Sequence, residues 1–171
     1  MIYPLEQLLK DGCEVKGLFY NPNIHSFLEF NNRKQALINF SESLNFEIDI
    51  PEYDPSDFFG YTGDSWLKSS RCFFCWNLRL KKTAKLAKEK GFSHFSTTLL
   101  VSPYQDHQML KEIGFTIARQ EGVDFYYQDF RVGFSPAQAR AREKGLYMQK
   151  YCGCIYSEIE RSKEKINARI R

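Results

Sequence analysis

No stretch of this sequence is apolar for long enough to cross a membrane as a helix, and the opening MIYPLEQLLKDG lacks the basic-then-apolar pattern of a secretory leader. These absences point to the cytoplasm, where disulfide frameworks are rare and cysteines serve as ligands or redox groups. There is no internal repeat and no linker-like segment, so the 171 residues read as a single domain with a charged C-terminal helical tail, long enough to bury a core. Disorder is excluded by 43% hydrophobic and 16% aromatic residues.

Acid and base are unevenly divided. Residues 1–70 hold 5 Lys/Arg against 11 Asp/Glu, a balance of −6; residues 71–171 hold 19 against 10, or +9, and the two halves sum to the formal +3. A basic half suggests a polyanionic partner, nucleic acid first. Any single lysine of Lys81, Lys82, Lys85, Lys88 and Lys90 is more simply part of a solvated helix face.

Strand-like and helix-like patterns alternate along the chain. A short helix is expected from Tyr3 to Lys10, with Pro4 in its first turn and Gly12 beyond its end. A strand follows over Glu14–Tyr20, then the turn Asn21–His25, then a helix from about Ser26 to Leu44 with Phe27, Phe30, Leu37, Phe40 and Leu44 facing inward. Phe46–Ile50 reads as a second strand, and the acidic stretch 51–70 as a loop or lid. The sequence from Arg71 predicts a basic helix ended by Gly91, a strand over Phe92–Val101, a helix from about Tyr104 to Gln120, a strand over Val123–Tyr127, and a helix started by Ser135-Pro136 and ended by Gly145. Such alternation implies an α/β fold with a parallel sheet covered by helices on both faces.

The chemistry lies in two cysteine pairs. Cys72 and Cys75 stand three apart at an expected helix start, where the helix dipole, Arg71 and Arg79 would favour thiolates. That spacing suits zinc or iron–sulfur ligation; it suits a thioredoxin-like dithiol less, because the proline-flanked pattern is missing, and two ordinary buried cysteines are the third reading. Cys152-Gly153-Cys154 is the second pair. A disulfide there closes a very small, easily reduced ring, and Gly153 relieves part of its strain. Spacing alone leaves two readings open, an electron relay at Cys152 and Cys154 or one zinc held by all four thiolates. Cys13 reads as a solitary residue on a strand edge. Gln105, Asp106 and His107 follow a strand's end, as His25 does, and either histidine is a lesser catalytic candidate. Tyr104, Tyr126, Tyr127, Tyr147, Tyr151 and Tyr156 could stack on bases, although core packing accounts for most of them equally well.

GLFYNPNIH, RCFFCWNLRL, STTLLVSPYQDH, DFR at Asp129–Arg131 and LYMQKYCGCIYSE occur in one order. In that combination, from about Tyr3 to Arg161, the chain closely resembles the QueH type of epoxyqueuosine reductase. The resemblance implies a Rossmann-like parallel sheet of the nucleotide α-hydrolase kind. It implies an enzyme that reductively removes the epoxide oxygen of epoxyqueuosine at the wobble position of tRNA, the last step of queuosine synthesis. Cys72 and Cys75 would be two ligands of a [4Fe–4S] cluster, Cys152 and Cys154 the redox-active disulfide. A second metal ion nearby, an electron donor of unspecified kind and contact with the anticodon stem-loop belong to the same expectation.

The departure from the family pattern is an opening strand with a Cys-Cys-x-Pro-Cys type motif, which family members carry just before the segment matching Ile2-Tyr3-Pro4. With this first strand absent, two further cluster ligands are expected upstream of Met1. The chain as written is expected to bind an intact cluster poorly and, with apolar sheet edges exposed, to fold marginally. Two rival functions remain: an ATP-dependent, tRNA-modifying sulfur-transfer enzyme of the same fold group, and a zinc-stabilised RNA-binding module using both cysteine pairs.

Overall fold

A computed structural model describes residues 1–63 and 67–170. The chain opens with α1 (Ile2–Lys10), whose first turn accepts Pro4 because a helix start needs no N–H there. It stops at Asp11 and Gly12, the latter in the left-handed region at φ 76°. Then come β1 (Gly17–Leu18), α2 (Phe27–Leu44), β2 (Ile48–Asp49), α3 (Ser56–Thr62), α4 (Lys68–Glu89) and β3 (His94–Phe95). A 3-10 turn at Thr98–Val101 leads to α5 (His107–Glu121) and β4 (Asp124–Phe125). A second 3-10 turn, Arg131–Gly133, precedes α6 (Phe134–Glu143) and α7 (Ile155–Ile170).

This is an α/β fold built from two β–α–β units. In the first, β1 pairs in parallel with β2 across α2, Gly17 opposite Ile48; in the second, β3 pairs in parallel with β4 across α5, His94 opposite Asp124. Among the described residues these pairs form two separate two-stranded sheets, where the sequence pattern suggested one. The strands are also shorter than expected. The run to Val101 leaves the ladder after Phe95 because the Thr97 hydroxyl accepts the Leu99 N–H at 3.2 Å, closing a local turn in place of strand pairing.

The stretch 51–70, expected as a loop or lid, holds a helix at Ser56–Thr62 and the start of α4. The Asp54 carboxylate accepts the Ser56 N–H at 2.8 Å and starts α3, which puts Phe58 into the core at 1% exposure. Glycines at 60 and 63 hid this short helix in the sequence, and residues 64–66 of the acidic stretch lie outside the described residues. α4 begins at Lys68, a full turn before Cys72, so the cysteines sit within its body.

The main core lies between α3, α4, α5 and the β3–β4 pair. Trp76, Leu80, Ala84 and Ala87 form the buried stripe of α4, while Leu78 and Leu86 are half-buried. They meet Leu110, Ile113 and Ile117 of α5 and Phe95 and Phe125 of the strands. Each large apolar side chain so buried contributes about 1.5–3 kcal/mol. A smaller cluster joins Ile2 and Leu5 of α1 to Phe40 of α2, and a third joins Phe19, Ile24 and Phe30. Of the face expected on α2, Phe30 and Phe40 are buried and Leu37 is half-buried, but Phe27 and Leu44 at the two ends stay exposed.

Candidate functional site

Three segments far apart in sequence meet beyond the carboxyl end of β1, where α/β folds bind ligands. The first is the turn Asn21–His25. The His25 N–H donates to the Gly153 carbonyl at 2.8 Å, and the Tyr151 hydroxyl donates to the His25 carbonyl at 2.6 Å. The His25 ring lies 4.8 Å from that of Phe59 and 5.9 Å from that of Phe58 on α3. Its two ring nitrogens are buried with no partner in hydrogen-bond geometry. Burial holds the imidazole below its ordinary range, against the opposing pull of the Asn23 backbone and Glu158.

The second segment is the cysteine turn of α4. Cys75 is buried and Cys72 half-buried. Burial pushes the Cys75 thiol up to about 12; Arg79 pulls the other way, and Cys152, Cys154 and Cys72 would each oppose a further negative charge. Burial, not the helix dipole, therefore dominates at Cys75, and this reverses the sequence expectation of a favoured thiolate.

The third is the loop from Tyr151 into α7. Gly153 adopts φ 117°, a conformation that favours glycine. Cys152 is open at the surface, while Cys154 is 7% exposed and has the Ser157 hydroxyl 3.4 Å from its sulfur. Cys152 is nonetheless crowded enough that desolvation raises its thiol first and Cys154 second, with Arg79 and Arg33 opposing. Arg71, 4% exposed, lies 5.4 Å above the Tyr156 ring and pairs with Glu160 at 2.6 Å, docking α7 onto α4. Its charge also acts on Cys154 and Cys72.

The fold thus brings both cysteine pairs and His25 to one place. His107 belongs elsewhere: it opens α5 with its Nε2 3.2 Å from the Ser102 carbonyl and acts electrostatically on Asp129. Asp106 caps the same helix by accepting the Met109 N–H at 2.9 Å. Cys13 is not on a strand; its N–H donates to Leu8 and helps close α1. Tyr104 is 76% exposed with its ring edge-on to Phe134, whereas Tyr151 is taken up by the site itself.

Arg33 was missed. It lies mid-helix in α2, and its guanidinium donates to the carbonyls of Tyr151 at 2.9 Å and Cys152 at 3.0 Å. The only local signal is Glu29, four residues earlier, paired with it at 2.8 Å.

Two cysteines supply half of a four-thiolate set, and no three His, Cys, Asp or Glu side chains among the described residues are gathered closely enough to hold a metal ion. Cys72 and Cys75 fit part of a metal group: they occupy one helical turn, and metal binding deprotonates a thiol that burial otherwise keeps neutral.

The chain matches the family model described as epoxyqueuosine reductase QueH over residues 1–160. The epoxyqueuosine reductase QueH of Dehalococcoides mccartyi is 36% identical over 160 residues, covering 93% of this chain and 87% of that protein. The protein of that name from Thermotoga maritima is 34% identical over 156 residues, covering 86% and 81%. That of Helicobacter pylori is 36% identical over 156 residues, covering 85% of this chain and 42% of its own length.

Proposed function

The chain belongs to the QueH family of epoxyqueuosine reductases, and on that premise we propose that it reduces epoxyqueuosine to queuosine at the wobble position of tRNA. Residues 1–171 are taken as one α/β domain working in the cytoplasm, and no helix among the described residues is long and apolar enough to cross a membrane. The observation that carries the reading is the meeting of two cysteine pairs, each with one buried and one more open sulfur: Cys75 and Cys72 on α4, Cys154 and Cys152 before α7.

The chemistry requires two electrons and two protons: the epoxide loses its oxygen as water and leaves an alkene. Oxidation of a dithiol to a disulfide supplies that count, so epoxide plus dithiol balances alkene, water and disulfide. Cys152 and Cys154 act as this dithiol and are restored by an external donor. Cys72 and Cys75 would be two ligands of a [4Fe–4S] cluster, and a second metal ion belongs to the same reading. When bound, such a cluster supplies single electrons and a Lewis-acidic iron for an oxygen atom. The Arg79 charge acts on Cys75 and Cys152 and lowers the cost of a thiolate at either. The aromatic wall of Phe58 and Phe59 keeps water from the His25 ring. The basic half, including exposed Lys81 and Lys85 on α4, holds the anticodon stem-loop through its phosphates.

The test is anaerobic reconstitution with iron and sulfide, followed by incubation with tRNA bearing epoxyqueuosine and mass analysis of the nucleosides. Cys72→Ala and Cys75→Ala should each abolish iron loading and queuosine formation. Cys152→Ser and Cys154→Ser should keep the iron and lose turnover with a dithiol donor. Unchanged reduction in the α4 variants overturns the reading. Zinc lost on changing either pair would instead identify the zinc-stabilised RNA-binding module, and strict dependence on ATP the sulfur-transfer enzyme.

A further inference from the structure

The two cysteines of the Cys152-Gly153-Cys154 loop are not equivalent, and one buried arginine distinguishes them. Arg33 projects from α2 with its side chain 9% exposed. Its Nη1 donates to the Cys152 carbonyl at 3.0 Å, its Nη2 to the Tyr151 carbonyl at 2.9 Å, and its Nε to Glu29 at 2.8 Å. The guanidinium carbon lies 5.5 Å from the centre of the Tyr151 ring. Glu29 is itself fixed from the far side by the Tyr147 hydroxyl. A Cβ built on Gly153 would come within 3.0 Å of Arg33 Nη1, so the loop packs directly on the guanidinium. Burying a charged pair costs several kcal/mol per ion before partners offset it, and here the offset includes two carbonyls of the cysteine loop. Only a planar fork can meet both carbonyls and the carboxylate together; a lysine ammonium cannot.

Held this way, Cys152 is open at the surface, whereas Cys154 is buried beside Ser157 and within the field of Arg71. Building on the proposed dithiol role of this pair, we infer that Arg33 is a positioning residue that presents Cys152 as the outer sulfur, the one attacked by an external dithiol when the Cys152–Cys154 bond is reduced.

The exchange balances as follows. A donor thiolate attacks Cys152 Sγ, a donor–Cys152 bond forms, and the Cys154 sulfur leaves as a thiolate on the inner side, where the Arg71 charge acts on it. The donor's second thiol, as its thiolate, then attacks the donor sulfur and Cys152 leaves as a thiolate. The donor ends as a disulfide; the two protons released by its thiols end on the two cysteine sulfurs. Arg33 acts on the second departure as well, because its charge opposes the burial that raises the Cys152 thiol. Removing it would make Cys152 a poorer leaving group as well as a misplaced target.

The test uses the whole protein with the pair oxidised. Excess 2-mercaptoethanol traps the mixed disulfide for peptide mapping, and dithiothreitol gives the rate of reduction as a function of pH. In the parent, the adduct should sit on Cys152. Arg33→Met should slow reduction by dithiothreitol about tenfold and spread the adduct over both cysteines. Arg33→Lys, which keeps the charge and loses the fork, should recover part of the rate while leaving the adduct divided. An adduct on Cys154 in the parent overturns the inference, as does a folded Arg33→Met protein with unchanged rate and adduct. If Arg33→Met does not fold, an Arg33→Lys protein indistinguishable from the parent overturns it equally. Failure of the parent to form any bond between Cys152 and Cys154 would instead overturn the dithiol role itself, and this inference with it.

Discussion

The backbone N–H of His25 donates to the carbonyl of Gly153 at 2.8 Å, a bond spanning most of the chain. It joins the turn after β1 to the loop between the two exposed-and-buried cysteines, and the Tyr151 hydroxyl closes the same junction from the other side. The geometry of the cysteine loop is therefore set by residues that precede it by more than a hundred positions.

Gly153 is the weak point of that junction. Its φ of 117° is unfavourable to any side chain, and a Cβ would approach both Arg33 Nη1 and Ile24 Cγ1 at 3.0 Å. Gly153→Ala should cost about 1–3 kcal/mol of stability. Thermal unfolding checks the loss, and alkylation of Cys154 in the folded protein should speed up as the loop lifts away.

Gly114 makes a prediction of opposite sign from the usual rule. In an exposed helix interior, Gly→Ala stabilises by about 0.8–1 kcal/mol. On α5 the added carbon would stand 2.3 Å from two ring atoms of Phe125, which is itself buried against Phe95 and Phe115. The ring would have to shift against Phe95 and Phe115, and overpacking costs about 1–3 kcal/mol. Gly114→Ala should therefore destabilise, read as a lower denaturant midpoint with unchanged m-value; a raised midpoint would show that Phe125 yields.

His25 makes stability depend on pH. Burial holds its folded-state pKa below the ordinary value of about 6.5, so the unfolded chain takes up the proton first as pH falls. The contribution of the neutral ring is intact above that value and is lost progressively below it. Urea unfolding at a series of pH values from 7.5 to 5 should show stability falling in the parent. His25→Gln, which cannot titrate, should flatten that part of the curve, and an unaltered slope would assign the acid sensitivity to other groups.

The sequence by itself determined the order of elements, the positions of most helix ends, and the identity of both cysteine pairs. These are local properties: Pro4, Gly12 and Gly91 act through backbone geometry and capping within a turn of where they stand. The family was legible for the same reason, because five short motifs in fixed order need no coordinates. Tertiary structure alone decided the rest. The apolar run to Val101 had the composition of a strand, but a threonine hydroxyl and the packing of Leu100 made it a turn. The acidic stretch looked like a loop until Phe58 found the core. Burial overrode the charge pattern around Cys75, since the desolvation of a thiolate depends on how many atoms surround it and not on which residues precede it. Arg33 is the clearest case. Nothing near it in sequence marks it as part of a cysteine site, because the carbonyls it holds lie 118 and 119 residues away and only the folded chain brings them within reach of its guanidinium.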